Sequence, residues 1–318
     1  MTGTEHIGST ALWAGFVAFV LLMLAVDLWV FGGNKSEKVT ARAAGAWSLG
    51  WFGLALAFNG GLWWYLQGSV GAEIAGQKSL EFLSGYLIEK ALSVDNIFIF
   101  LLIFSAFQVK PEYQRRVLIY GVLGAIIMRA IMILAGAWVV SEFSWVLYLF
   151  GAFLLYTGVK MFRAVDHQPD VRNNPVLRFA RRYLPVAEGE HGEKFVIWKD
   201  GKRYVTPLLL VLILIEATDL VFAVDSIPAI FAITSDPFIV FTSNMFAILG
   251  LRALYFLLAD IAGRFHLLKY GLALVLCFIG LKMLLLPWLH IPVHISLSVV
   301  AALIAASVLA SLYVTRNN

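Results

Sequence analysis

Two stretches of this chain set carboxylates inside runs that are otherwise apolar. From Ile215 to Pro228 the sequence reads Ile-Glu-Ala-Thr-Asp-Leu-Val-Phe-Ala-Val-Asp-Ser-Ile-Pro, so Glu216, Asp219 and Asp225 interrupt an apolar run from Leu208 to Ile233. An earlier stretch, Glu89-Lys-Ala-Leu-Ser-Val-Asp-Asn-Ile-Phe98, matches it. Aligning Asp95 with Asp225 superposes Glu89 on Asp219, and the two acids stand six residues apart in both copies. A charged side chain at a bilayer centre costs about 2.5–3.5 kcal/mol on insertion scales, so a cluster of them needs a compensating role.

That role is read first as cation binding. Glu89, Asp95, Glu216, Asp219 and Asp225 offer carboxylate oxygens, while Asn96, Ser226 and Asn244 offer neutral ones. Hard or borderline-hard divalent ions such as Ca²⁺, Mg²⁺ and Mn²⁺ prefer oxygen donors. His6, His167, His191, His266, His290 and His294 fall in loops or near segment ends, and Cys277 is the only cysteine. A deep thiolate or imidazole site for Cu⁺ or Zn²⁺ is therefore disfavoured, and one chain can form neither a disulfide nor a Cys-x-x-Cys motif.

Helical geometry restrains this reading. Six residues at about 100° each leave Asp95 about 120° around a straight helix from Glu89, so one unbroken helix does not aim both at one point. Glu216 and Asp219, three apart, do share a face. Pro228 frees a carbonyl and is expected to kink or break its helix, opening backbone oxygens as in other interrupted transporter helices. Charge pairing is the alternative role. Arg129, Arg252 and Lys282 lie deep enough to balance the acids, Lys90 adjoins Glu89, and Lys160 near a segment end snorkels to the interface. Asp27 and Asp260 are weaker candidates.

The elements that must carry these residues are membrane helices. The chain is 61% hydrophobic and 14% charged, with a mean hydropathy of +0.84, against roughly 45–50% apolar and about 25% charged for soluble domains. Nine apolar segments come near the ~20-residue length of a transmembrane helix: 10–31, 42–66, 80–107, 115–140, 143–162, 205–233, 238–259, 267–288 and 293–314. The first has no basic leader and no small-residue cleavage site, so it reads as a retained helix rather than a signal peptide. Basic residues follow alternate segments: Lys35, Lys38 and Arg42, then Lys110, Arg115 and Arg116, then Arg264 and Lys269, with Arg316 in the tail. The intervening loops hold only Lys78, which places the N-terminus outside and the C-terminus in the cytoplasm. The net charge of +4 reflects this asymmetry and implies the lipid bilayer, not nucleic acid, as partner.

The sequence therefore reads as an all-α polytopic protein of nine transmembrane helices. Its parts are 1–79 (helices 1 and 2), 80–162 (a first three-helix unit), 163–204 (a cytoplasmic loop), 205–289 (a second three-helix unit) and 290–318 (helix 9 and tail). Besides the acids, Met-Arg129-Ala matches Leu-Arg252-Ala, and Gly158-Val-Lys160-Met matches Gly280-Leu-Lys282-Met. Arginine and lysine are 31 residues apart in the first copy and 30 in the second. Three spans per unit make consecutive copies enter from opposite sides, which is an inverted-topology repeat with a midplane site at the repeat interface. In the loop, Asn174-Pro175 opens a short amphipathic helix with Arg178, Arg181 and Arg182 for the lipid surface. A hairpin turns at Asp200-Gly201. No catalytic grouping and no Gly-x-x-x-x-Gly-Lys-Ser/Thr phosphate loop appears, so the chain reads as a non-enzyme without a prosthetic group. Oligomeric state is left open.

Glu89-Lys-x-Leu-Ser-Val-Asp-Asn-Ile-Phe and Asp219-Leu-Val-Phe-Ala-Val-Asp-Ser-Ile-Pro resemble the TerC family of bacterial membrane proteins. The resemblance extends through Thr242-Ser-Asn-Met-Phe-Ala-Ile-Leu-Gly-Leu-Arg-Ala and Phe278-Ile-Gly-Leu-Lys-Met, and the loop with Trp198-Lys-Asp-Gly is closest to its Alx branch. It implies residence in the inner membrane and efflux of Mn²⁺ as the transported ion, associated with alkaline pH; the family takes its name from tellurite resistance. A proton-coupled manganese exporter is the expectation. A calcium transporter, or a non-transporting scaffold or stress sensor whose acids only pair with arginines, is the alternative.

Overall fold

The structure is a computed structural model that describes residues 7–32, 40–143, 145–163, 174–187, 189, 191–199, 201–261, 267–289 and 291–317. Of the residues singled out above, His6, Lys35, Lys38, His167, Asp200, Arg264, His266 and His290 lie outside the described residues, as do the side chains of Asp95, Asp260 and Arg316.

In hydrocarbon a helix satisfies its own backbone polar groups, and helices make up nearly all of this fold. In chain order they are α1 (Thr10–Gly32), α2 (Ala41–Ser69), α3 (Ala72–Ala106), α4 (Pro111–Glu142), α5 (Val146–Arg163) and α6 (Pro175–Tyr183). A hairpin of β1 (Val196–Lys199) and β2 (Lys202–Val205) follows, then α7 (Pro207–Phe231), α8 (Pro237–Leu249), α9 (Leu251–Ile261), α10 (Leu268–Leu284) and α11 (Val293–Asn317). Prolines open α4, α6, α7 and α8, where a missing N–H costs nothing. Thr206 and Asp236 cap α7 and α8 through their side-chain oxygens.

Among the described residues, six stretches are long and apolar enough to cross a bilayer: Thr10–Asp27, Pro111–Glu142, Val146–Arg163, Pro207–Phe231, Pro237–Ala259 and Val293–Val314. Charge sets α3 apart, since it carries Glu73, Lys78, Glu81, Glu89, Lys90 and Asp95. Length sets α10 apart, at 17 residues.

The backbone departs from the sequence reading in two places. The helix expected to kink or break at Pro228 is not broken there and runs on to Phe231. The proline falls in its last turn, where few intrahelical bonds remain to be lost. The segment 238–259 is instead divided at Gly250 into α8 and α9. There Lys90 Nζ donates to the Ala247 carbonyl at 3.3 Å, and a Cβ on residue 250 would collide with that ammonium and with Trp51. Glycine lowers helix propensity by about 1 kcal/mol, and the lysine offers the last turn of α8 a cation that suits its dipole.

Every residue of α8 from Phe238 to Leu249 is buried, enclosed by α1, α2, α3, α4 and α7. α3 lies parallel to it, with Gly85 against Ser243 and Lys90 against Ala247. α4 lies parallel to α7: Gly121 faces Ile215, and Gly136 faces Ile227 and Phe231. α5 and α10 are antiparallel, with Gly158 against Ala273 and Cys277 and Gly280 against Gly151 and Leu155. Small residues let these backbones approach closely, as in membrane helix pairs generally. Trp64, Trp138, Trp145 and Trp288 stand exposed near helix ends. β1 and β2 pair antiparallel from Val196↔Val205 to Lys199↔Lys202, with Gly201 at φ 71° in the two-residue turn. Phe195 anchors this hairpin edge-on against Tyr120 of α4, with the Arg116 guanidinium 5.4 Å from its ring centre.

Candidate cation site

Glu89 of α3, Arg129 of α4, Asp219 of α7 and Asn244 of α8 converge inside the bundle, none more than 2% exposed. Arg129 presents its fork to Asp219, with Nη2 donating to Oδ1 at 2.8 Å and Nε donating to Oδ2 at 3.2 Å. Such bidentate, charge-assisted pairs are the strongest hydrogen bonds available to a side chain. Its Nη1 donates to Glu89 Oε1 and, at 3.4 Å, to Asn244 Oδ1. Asn244 Nδ2 then donates to Glu89 Oε2 at 3.1 Å and closes the ring. Four helices thus share one buried network, and Glu89 and Asp219, the acids that the two sequence motifs align, touch the same guanidinium.

The remaining candidates separate around this centre. Glu216 stands three residues before Asp219, with its carboxyl group against Gly121 and Gly124 of α4. Among the described residues it makes no hydrogen bond and no ion pair. Asp225 points elsewhere, beside Thr157 and Lys160 of α5, as its angular offset from Asp219 requires. Ser226 is 1% exposed, and its Oγ has no hydrogen-bond partner among the described residues. Asn96 is buried on α3. Among the described residues, no three Asp, Glu, His or Cys side chains are gathered to hold a metal ion. Arg129 fills the gap between Glu89 and Asp219.

The other cations have separate partners. Arg252, at the start of α9, pairs through Nη2 with Asp27 Oδ2 at 2.7 Å and also donates to the Asp27 carbonyl. Lys282 is buried on α10. Charge pairing therefore accounts for Asp27 and reaches Glu89 and Asp219, but not Glu216.

Sequence reasoning passed over a second polar knot. Glu81 accepts from Gln77 at 2.9 Å and from Lys78 at 3.0 Å, and Lys78 lies 3.7 Å from Asp236. Asp236 in turn accepts from the backbone N–H of Ile7 and of Phe238. The available signal was Thr234-Ser-Asp236-Pro, a helix-start signature. This knot ties α1 and α3 to the head of α8.

Apolar helices packed around buried, largely paired charges define a polytopic integral membrane protein. The profile of the integral membrane protein TerC family matches residues 74–318, and the chain belongs to that family. It is 52% identical over 312 residues to the "Putative membrane-bound redox modulator Alx" of Shigella flexneri, covering 98% of both chains. The protein of the same name from Escherichia coli (strain K12) is also 52% identical, over 98% of this chain and 97% of its own. An uncharacterized membrane protein of Myxococcus xanthus is 48% identical over 311 residues, 98% of this chain and 95% of its own. No solved structure matches significantly.

Proposed function

We propose that this protein is a secondary transporter of the bacterial inner membrane that exports Mn²⁺ from the cytoplasm. The observation that carries this reading is an excess of acid at the helix crossing. One guanidinium, Arg129, pairs with both Glu89 and Asp219, Glu216 stands one turn before Asp219 against Gly124, and a divalent cation balances the surplus. Glu89 and Asp219 with Asn244 form the ligand set, while Asp225 and Ser226, whose Oγ has no hydrogen-bond partner among the described residues, extend it along the path, with Asp95 and Asn96 the matching pair of the first motif. Oxygen donors alone favour Mn²⁺ and Ca²⁺ over softer ions. The redox role in the relatives' name has no thiol pair to work through here, since Cys277 is the chain's single cysteine.

Helix pairing supports nine spans and an inverted repeat. Matching α3 to α7, α4 to α8–α9 and α5 to α10 turns the α3–α8 pair into the α7–α4 pair. It also makes α5–α10 its own counterpart. Gly158 packs on the residues three and seven before Gly280, and Gly280 on those three and seven before Gly158, as a two-fold axis in the membrane plane requires. Cells expressing the protein are expected to hold less manganese than vector controls. Asp95→Ala, Asp225→Ala and Asp219→Asn are each expected to abolish the difference while the protein stays in the membrane. Equal manganese in every strain would remove the transporter reading.

Orientation follows from the basic loops: the N-terminus outside, 67–79 outside and 163–204 cytoplasmic. A cysteine at Lys194 in a Cys277→Ala background should resist an impermeant thiol reagent in whole cells and react once the membrane is opened. Labelling of intact cells would reverse the orientation assigned to every span.

A further inference from the structure

Two charged groups of the crossing have no repeat counterpart there. With Glu89 opposite Asp219, Tyr86 stands opposite Glu216, so the third acid belongs to the second copy alone. Arg129 has a counterpart in Arg252, but Arg252 turns away to Asp27, so only the first-copy arginine enters the acid pair. These two unmatched groups, Arg129 and Glu216, lie on adjoining parallel helices.

Their placement favours a meeting. Long side chains on a helix lean toward its N-terminus and cover the turn before their own Cα. From Arg129 that direction runs along α4 toward Ala125 and Gly124, and the Glu216 carboxyl group rests against Gly124. On α7, Glu216 lies three residues before Asp219, about 4.5 Å along the axis and on nearly the same face. A guanidinium leaving Asp219 toward its own helix N-terminus therefore travels toward Glu216. On the α4 side, Gly121 and Gly124 face Ile215 and Glu216 of α7 with no side chain between them, and Ala125 lines the same cavity as Asp219. At its end is the one carboxylate of the crossing that has no hydrogen bond or ion pair among the described residues.

We infer that Arg129 is a tethered cation that holds the Glu89–Asp219 pair while the site is empty, and that Glu216 receives it when a divalent ion enters. This rests on the transport reading of the same site and assigns Glu216 a receiving role instead of a ligand role. Charge supports the assignment: Glu89, Asp219 and Glu216 with Arg129 sum to −2, which one divalent ion neutralises. Once the ion sits between Glu89 and Asp219, the guanidinium cannot share their oxygens, and its repulsion from the ion is relieved only beside another anion. Without Glu216 the ion must displace an arginine that has nowhere charged to go.

Mn²⁺ binding to the full-length protein in detergent tests this, because bound Mn²⁺ is paramagnetic and its spectrum reports its ligands. Glu216→Gln is expected to weaken Mn²⁺ binding about tenfold or more, within the range of coupled neighbouring groups. At saturating Mn²⁺ its spectrum should remain that of the wild type. In an Arg129→Gln background the competing cation is gone, and adding Glu216→Gln should change affinity by less than about twofold. Gly124→Ala, which drives a methyl group into the Glu216 carboxyl group, should weaken binding without altering the spectrum. A changed spectrum in Glu216→Gln, or an equal loss of affinity with and without Arg129, would make Glu216 a ligand and overturn the inference. The spectrum decides the matter even if Arg129→Gln does not fold. Unchanged affinity in Glu216→Gln overturns the receiving role alone, whereas wild-type protein that binds no Mn²⁺ overturns the transport reading and this inference together.

Discussion

Arg129→Gln is expected to be the most destabilising single substitution at the crossing. It leaves Glu89 and Asp219 as two carboxylates in a site from which solvent is excluded, and Asn244 supplies only one amide to one of them. Breaking a buried ion pair from one side costs about 3–5 kcal/mol, because the partner charge is left uncompensated. At roughly 2–4 °C per kcal/mol for chains of 150–250 residues, the melting point in detergent should fall on the order of 10 °C. The asymmetry of that cost supplies the control. Removing all three charges together, as Glu89→Gln with Arg129→Gln and Asp219→Asn, should restore much of the lost stability, since neutral isosteres leave no orphaned ion. If Arg129→Gln melts with the wild type, the network is not what binds α3, α4, α7 and α8 together.

That experiment separates what the sequence could reveal from what it could not. Glu89, Asp219, Arg129 and Asn244 were legible as individuals because ionisable and amide groups at bilayer depth are rare enough to stand out. Pairing Glu89 with Asp219 was legible through the matched motifs around them. Their joint partner was not, because Arg129 and Arg252 are equivalent by motif, and only packing decides that one enters the crossing while the other turns to Asp27. The separation of Asp225 from Asp219 followed from the helical angle alone. The interruption at Gly250 was hidden for the opposite reason: Pro228 announces itself locally, whereas the capping of α8 depends on Lys90, distant in sequence. Glu81 and Asp236 escaped notice because each sits beside a segment end, where a charge is ordinarily solvated.

Exchange against protons is the final expected result, and it follows from charge. Moving a divalent ion out of a cell that is negative inside costs about 2.3 kcal/mol per charge per 100 mV, and the chain has no phosphate-binding loop with which to use ATP. Glu89, Asp219 and Glu216 with Arg129 carry −2 when the ion has left, and protons are the charges available to replace it. Two protons per ion make the cycle electroneutral. In proteoliposomes, a tenfold proton gradient, worth about 1.4 kcal/mol per proton, should then sustain up to a hundredfold opposing Mn²⁺ gradient. Metal flux should acidify the opposite compartment, and an imposed potassium diffusion potential should leave the rate unchanged. Asp219→Asn should abolish metal and proton movement together, because it removes a ligand and a proton carrier at once. Uphill transport that also responds to the potential would mean a proton number other than two, drawing in Asp225 or Asp95. Flux that follows the Mn²⁺ gradient alone, with no proton movement, would leave a uniporter or channel built on the same acids.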